Sequence, residues 1–193
     1  MGKRQLGFYL DQQHCTGCAT CQVACKDKHD LPPGQFFRRV WETVGGSFRA
    51  KGETVKAGVY AYWVSLSCNH CRAPLCVDHC PAGAMQKREA DGIVFVDRDR
   101  CIGCRRCAAG CPYGAPVYDP GEGKTGKCDF CRDLLARGKP PACVAACPNG
   151  ALDWGPVEEL AAQYGGVNGI KGMPDPAVTL PSLLLKPHRD AAL

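Results

Sequence analysis

Residues 101–112 constrain this chain more than any others. They read C-I-G-C-R-R-C-A-A-G-C-P. Cys101, Cys104 and Cys107 stand three apart, Cys111 follows four later, and Pro112 closes the run. Three thiolates on one tight loop can wrap a single inorganic centre. The fourth lies about one helical turn beyond and points away from it. Pro112 then ends the helix. This C-x2-C-x2-C-x3-C-P spacing is one by which a chain grips a 4Fe–4S cube and lends its fourth cysteine to a neighbouring cube. One such run therefore implies a second cube nearby.

The quartet recurs. Cys15, Cys18, Cys21 and Cys25 repeat the spacing, with Lys26 where the proline would stand. Cys68, Cys71, Cys76 and Cys80 precede Pro81, with four residues in the middle gap. Cys128, Cys131, Cys143 and Cys147 precede Pro148, with eleven residues in that gap. All sixteen cysteines are used. Zinc needs only four ligands from two C-x2-C knuckles. It explains neither the third cysteine of each loop nor the repeated C-x3-C-P. A secreted disulfide scaffold would not need close quartets, and no apolar secretory segment follows Met1-Gly2-Lys3-Arg4. No C-x-x-C-H is present, so c-type haem attachment is unsupported.

The formal charge of +5 counts every cysteine as neutral. Four thiolate-ligated cubes of roughly −2 each would move it to about −3. Basicity is thus a poor argument for a nucleic-acid partner, and none is expected. No apolar stretch approaches the roughly 20 residues that span a bilayer. The longest, 58–66 and 177–185, are short, and Pro181 interrupts the second.

Between the quartets the sequence predicts strands over 5–11, 36–44, 58–67, 116–118 and 151–154, and a hairpin of 85–89 with 93–96 around Ala90-Asp91-Gly92. It predicts helices over 22–29, 129–137 and 157–164. Polar residues 47–56 and 121–126 read as loops, the second flexible. The Gly/Pro-rich final thirty residues read as an irregular tail with an apolar patch at 183–185, packed on this protein or on a partner. The expected fold is α+β, two intertwined ferredoxin-like modules with long loops. Residues 1–57 plus 119–155 would form one module and 58–118 the other, with a short helix and extended tail over 156–193.

Twenty residues holding one hairpin separate Cys80 from Cys101, a fitting middle for a two-cube module. The gap from Cys25 to Cys68 is much longer. Quartets two and three would then pair, and quartets one and four. Spacing alone leaves the pairing of three with four open. With exchanged fourth cysteines, cluster one takes Cys15, Cys18, Cys21 and Cys147. Cluster two takes Cys25, Cys128, Cys131 and Cys143. Cluster three takes Cys68, Cys71, Cys76 and Cys111, and cluster four takes Cys80, Cys101, Cys104 and Cys107. The cofactors are thus four 4Fe–4S clusters, with iron held by all sixteen cysteines. Gly17 and Gly103 let backbone approach sulfur closely. Arg105 and Arg106 place positive charge beside cluster four, or are solvated surface arginines. His14, His70 and His79 adjoin ligands and read as structural. Tyr113 covers a cluster or fills the core. No catalytic residue set stands out.

Laid out in order, CTGCATCQVACKD with FRRVWE, SLSCNHCRAPLCVDHCPAGAMQKRE, CIGCRRCAAGCPYGAPVYD, KCDFC and ACVAACPNGALDWGP resemble the iron–sulfur, electron-transfer (beta) subunit of the dimethyl sulfoxide reductase family of molybdopterin oxidoreductases. The likeness covers nearly the whole chain. Within the family it is strongest to dimethyl sulfoxide reductase, while polysulfide, thiosulfate, formate and nitrite-linked relatives share the quartets. The resemblance implies a complex with a large subunit carrying a bis-pterin molybdenum cofactor and an integral membrane anchor that oxidises quinol. This chain would relay electrons between them. Cluster one would lie nearest the catalytic subunit and cluster four nearest the anchor. Nitrate reductase relatives carry tryptophan at the second cysteine of quartet three, and Cys104 here implies a full cube. The complex would sit peripherally on the cytoplasmic membrane. It would face the periplasm if exported with a twin-arginine-signal partner, with the cytoplasmic face as the alternative. A free-standing polyferredoxin and a zinc-dependent nucleic-acid module are the competing readings.

Overall fold

The computed structural model describes residues 4–193. Met1, Gly2 and Lys3, part of the segment read for a secretory leader, lie outside the described residues. Strand β1 (Leu6–Asp11) forms the middle of a three-stranded sheet, between β10 (Leu152–Pro156) and β11 (Leu183–Lys186). All six of its residues are buried. It therefore behaves as a strand covered on both faces, and strict alternation is not required of it. β10 runs antiparallel, with Leu6 opposite Pro156 and Leu10 opposite Leu152. β11 runs parallel, with Phe8 opposite Leu183. Gly7 permits this approach, since a Cβ there would lie 2.4 Å from the Ser182 carbonyl oxygen. Helix α6 (Val157–Tyr164) follows β10 and seals one side by packing Leu160 with Tyr9 and Leu184.

The expectation of an irregular tail is corrected here. Leu183–Leu185 form the third strand because β1 would otherwise expose an unpaired apolar edge. Ile170, Thr179 and Ala191 are buried with them.

Strands β2 (Arg39–Gly45) and β5 (Tyr60–Leu66) pair antiparallel, Arg39 opposite Leu66. Residues 47–56, read as a loop, are a hairpin. β3 (Phe48–Lys51) pairs with β4 (Thr54–Ala57) across Gly52, whose φ is +62°. All eight strand residues are exposed, so backbone pairing without a buried face holds it, and the apolar alternation that signals a strand is missing. β6 (Met85–Lys87) and β7 (Val94–Val96) form the expected hairpin. β8 (Val117–Asp119) pairs with β9 (Lys124–Gly126), which falls inside the segment read as a flexible loop. Asp119 fixes that turn, its Oδ1 accepting from the Gly121 N–H at 2.9 Å.

The helices are short. α1 (Thr20–Lys28) packs on α5 (Ala142–Ala145), and α2 (Leu75–Asp78) packs on α3 (Arg106–Ala109). The helix expected over 129–137 shrinks to α4 (Arg132–Leu135), because Phe130 and Cys131 adopt left-handed φ of +65° and +50°. One continuous core runs from Phe8 and Leu10 through Cys21, Cys25, Cys128 and Cys143 to Cys68 and Ile93. The fold is α+β, with thiols built into its hydrophobic interior.

Candidate metal centres

The four C-x2-C loops share one backbone device. The residue before the second cysteine has positive φ in each: Gly17 at +70°, His70 at +43°, Gly103 at +67° and Phe130 at +65°. A left-handed residue there turns successive N–H groups and thiols toward one point, as in an anion-binding nest. For Gly103 the close fit is explicit, since a Cβ would lie 2.1 Å from the Gly123 carbonyl oxygen. At Gly17 a Cβ would meet the Trp63 ring at 2.3 Å.

All sixteen cysteines are free thiols. Burial raises the Cys15 thiol, and neighbouring Cys21, Cys147 and Cys18 add to the rise. Burial pushes Cys25 to about 12, with Cys143 and Cys131 adding. Cys128 rises well above its ordinary value by burial, then through Cys25, Cys68 and Cys143. Burial takes Cys76 to about 12, with Cys68, Cys111 and Cys71 adding. Cys107 is raised by burial, then by Cys80 and Cys101. Cys80, Cys101, Cys104 and Cys107 also wall one cavity with Met85, Val96, Ile102, Arg105 and Thr125. The thiols thus act on one another electrostatically, quartet with quartet. A crowd of desolvated thiols stays protonated until a metal replaces the protons. Soft thiolates in fours on nest-forming loops fit iron–sulfur centres.

Cys21, Cys25, Cys68, Cys128 and Cys143 share one buried cluster, and Cys76 and Cys107 share a second. Cys18 and Cys104 are the exposed thiols, one in the first quartet and one in the third.

Two buried cations escaped the sequence reading. Arg38 is 1% exposed. Its guanidinium donates to the Ser65 carbonyl and hydroxyl and to the Ser67 hydroxyl, each at 3.1 Å. It lies 4.8 Å over the Phe8 ring; burial works against its charge, and the thiols of Cys143, Cys21, Cys128 and Cys25 favour it. Its Nε has no partner among the described residues. Lys127 is 4% exposed and donates to the Cys68 thiol at 3.3 Å, to the Cys128 carbonyl at 2.7 Å and to the Val94 carbonyl. Its place beside Cys128 in KCDFC was the available signal. Arg38 had none, since FRRVWE gives no hint which arginine turns inward.

The named flanking residues divide. Arg105 lines the cavity beside Cys104 and covers the Tyr118 ring at 3.8 Å, while Arg106 lies outside that cavity wall and is exposed. His14 is exposed near Asp11 at 3.2 Å, and His79 is exposed beside Arg106. Tyr113 bonds the Thr179 hydroxyl at 3.1 Å and packs on the core. His70 is completely buried. Burial, then the Lys127 charge, holds it well below its ordinary pKa, and its Nε2 lies 3.6 Å from the Cys128 thiol.

Residues 59–157 match the 4Fe-4S dicluster domain family, and residues 12–28 match a 4Fe-4S binding domain. The chain is 47% identical over 187 residues to the B subunit of anaerobic dimethyl sulfoxide reductase from Escherichia coli, covering 97% of this chain and 91% of that protein. It is 45% identical over 190 residues to the same subunit from Haemophilus influenzae, covering 98% and 92%. It is 42% identical over 154 residues to the thiosulfate reductase electron transfer subunit of Salmonella typhi, covering 79% and 77%. Likeness of this extent, over a chain whose sixteen cysteines fall in four quartets, means that the chain belongs to the iron–sulfur subunits of the dimethyl sulfoxide reductase family.

Proposed function

We propose that this chain is the electron relay of a dimethyl sulfoxide reductase complex, running between a quinol-oxidising membrane anchor and a molybdopterin catalytic subunit. The observation that carries it is the order of the thiol groups. Cys21, Cys25, Cys128, Cys143 and Cys68 lie in one buried cluster, Cys76 and Cys107 lie in a second, and the exposed thiols Cys18 and Cys104 belong to the first and third quartets. That is the layout of a wire with two accessible ends.

The ligand sets are those argued from spacing: Cys15, Cys18, Cys21 and Cys147; Cys25, Cys128, Cys131 and Cys143; Cys68, Cys71, Cys76 and Cys111; Cys80, Cys101, Cys104 and Cys107. The crowding of the thiols supports each set, and α1 against α5 with α2 against α3 supports the pairing of the quartets. On this reading two ferredoxin-like modules, 1–57 with 119–155 and 58–118, share one core. Four bound 4Fe–4S clusters would each accept and return one electron. The chain itself fixes the cysteines, excludes water from Cys25, Cys128 and Cys143, and leaves Cys18 and Cys104 at the surface for its partners. No helix among the described residues is long and apolar enough to cross a membrane, so attachment to the periplasmic face falls to the anchor.

Metal analysis of the purified complex tests the reading. Iron and acid-labile sulfide should each reach about sixteen per copy of this chain beyond what the partners hold. Zinc without labile sulfide would overturn it. Cys104→Ser is expected to convert or abolish the centre at the quartet-three end and leave the centres at Cys15 and Cys25 intact. Quinol-driven turnover should fall more than turnover driven by a dye that donates past that centre. EPR spectra unchanged from wild type would refute the ligand set.

A further inference from the structure

We propose that Lys127 and His70 form a buried polar bridge that raises the reduction potentials of the two centres meeting at Cys68 and Cys128. The inference rests on the ligand sets above, in which Cys128 belongs to cluster two and Cys68 to cluster three.

The bridge is a closed set of hydrogen bonds. Lys127 has three acceptors: the Cys68 Sγ, the Cys128 carbonyl and the Val94 carbonyl. An ammonium has three N–H groups, and each is used. His70 Nδ1 accepts from the Val94 N–H at 3.0 Å, so its proton sits on Nε2. That Nε2–H is 3.6 Å from the Cys128 Sγ. The Val94 peptide groups therefore tie the two donors together. One reaches the thiolate of one centre and the other reaches the thiolate of the next.

The balance of charge points the same way. A buried ammonium needs a paired anion. Its three acceptors include no carboxylate, so the thiolate-ligated centres are what offset it. A cation and an N–H donor beside cluster sulfur favour the more negative, reduced state and raise the potential.

Backbone strain marks the spot as well. Quartets one and three place glycine before the second cysteine, where φ is positive. Quartet two accepts His70 there, and quartet four accepts Phe130. A left-handed conformation is strained for a non-glycine residue. Both side chains are fully buried and meet edge to face at 5.1 Å. Phe130 thus holds the imidazole in place, and the ring that glycine would omit supplies the donor. The bridge stands at the middle of the relay, where the electron crosses from one pair of centres to the other.

The test is a redox titration of the anaerobically purified complex, followed by EPR. In Lys127→Gln, two of the four potentials contributed by this chain should fall while the other two hold. The larger fall should reach a tenfold change in the reduction equilibrium, about 59 mV for one electron. His70→Asn keeps an acceptor for the Val94 N–H and suits positive φ, but withdraws the donor from Cys128. It should lower a single potential, by less. Four unchanged potentials in a fully iron-loaded Lys127→Gln protein would overturn the bridge and leave the ligand sets standing. If Lys127→Gln fails to load iron, His70→Asn decides, and no shift in any potential overturns the proposal. Fewer than four such centres in the wild-type complex would remove the ligand sets themselves and the bridge with them.

Discussion

A chain cut after Pro181 is expected to lose its three-stranded sheet and most of its iron. The cut removes β11, whose Leu183, Leu184 and Leu185 are all buried. Each buried leucine contributes about 1.5–3 kcal/mol, so three together rival the roughly 5–15 kcal/mol of a typical domain's net stability. The cut also removes Ser182. Its N–H donates to the Asn69 carbonyl at 2.9 Å and its hydroxyl to the His70 carbonyl at 3.0 Å. Asn69 and His70 are the two residues between Cys68 and Cys71, so the second quartet would lose its brace. Leu185→Ala, milder, should cost about 2–5 kcal/mol and keep the sheet. Iron per chain and thermal unfolding, both measured anaerobically, report the outcome. A shortened chain with wild-type iron and an unchanged melting temperature would show that the tail is an appendage.

That strand also shows where sequence legibility stops. Leu183–Leu185 stood out as an apolar patch, but three leucines after Pro181 carry no period and no sign of their partner. The edge they fill belongs to β1, more than 170 positions earlier, and parallel pairing at that distance leaves no local trace. The hairpin of β3 and β4 was missed for the opposite reason. It buries nothing, so the residue pattern that reports burial is silent. β6 with β7 was legible because Asp91-Gly92 turns it and Val94 is buried behind it.

The iron–sulfur character of the chain was far more legible than the fold around it. Ligand spacing is a local demand of the chemistry, and sixteen cysteines in quartets leave few alternatives. Pairing was less determined, since the gap between quartets three and four is also short. The packing of α1 on α5 and of α2 on α3 favours one pairing through folded proximity. Of the buried charges, Lys127 had only its place beside Cys128 as a signal, and Arg38 had none. Arg38 and Arg39 are adjacent and chemically identical in sequence. One is buried among thiols, while the other is exposed and donates to the Tyr113 and Gly114 carbonyls. Strand phase decides between them, and β2 begins only at Arg39.

Arg38→Met is expected to impair loading of the two centres nearest β1 while leaving the other two in place. Arg38 couples electrostatically to Cys21 of one proposed ligand set and to Cys25, Cys128 and Cys143 of another, so on that reading its guanidinium serves two anionic sites. Removing one member of a buried charge arrangement costs about 3–5 kcal/mol, because the remaining charges are left uncompensated. Methionine fills similar volume, which keeps apolar packing against Phe8 while removing the charge together with its hydrogen bonds to Ser65 and Ser67. Ser65 retains its bond with the Cys21 thiol at 3.2 Å, so the hydroxyl there is not orphaned. Iron content should fall toward half in the Arg38→Met protein, and any centre that still assembles beside the lost charge should titrate at lower potential. Arg38→Lys keeps the charge but loses the planar fork that reaches Ser65 and Ser67 together. It should load iron better than Arg38→Met and worse than wild type. That ranking separates charge from packing. If methionine and lysine lose iron equally, hydrogen-bond geometry rather than charge is what Arg38 contributes. If both load fully with unchanged potentials, the anionic sites do not require a cation between them.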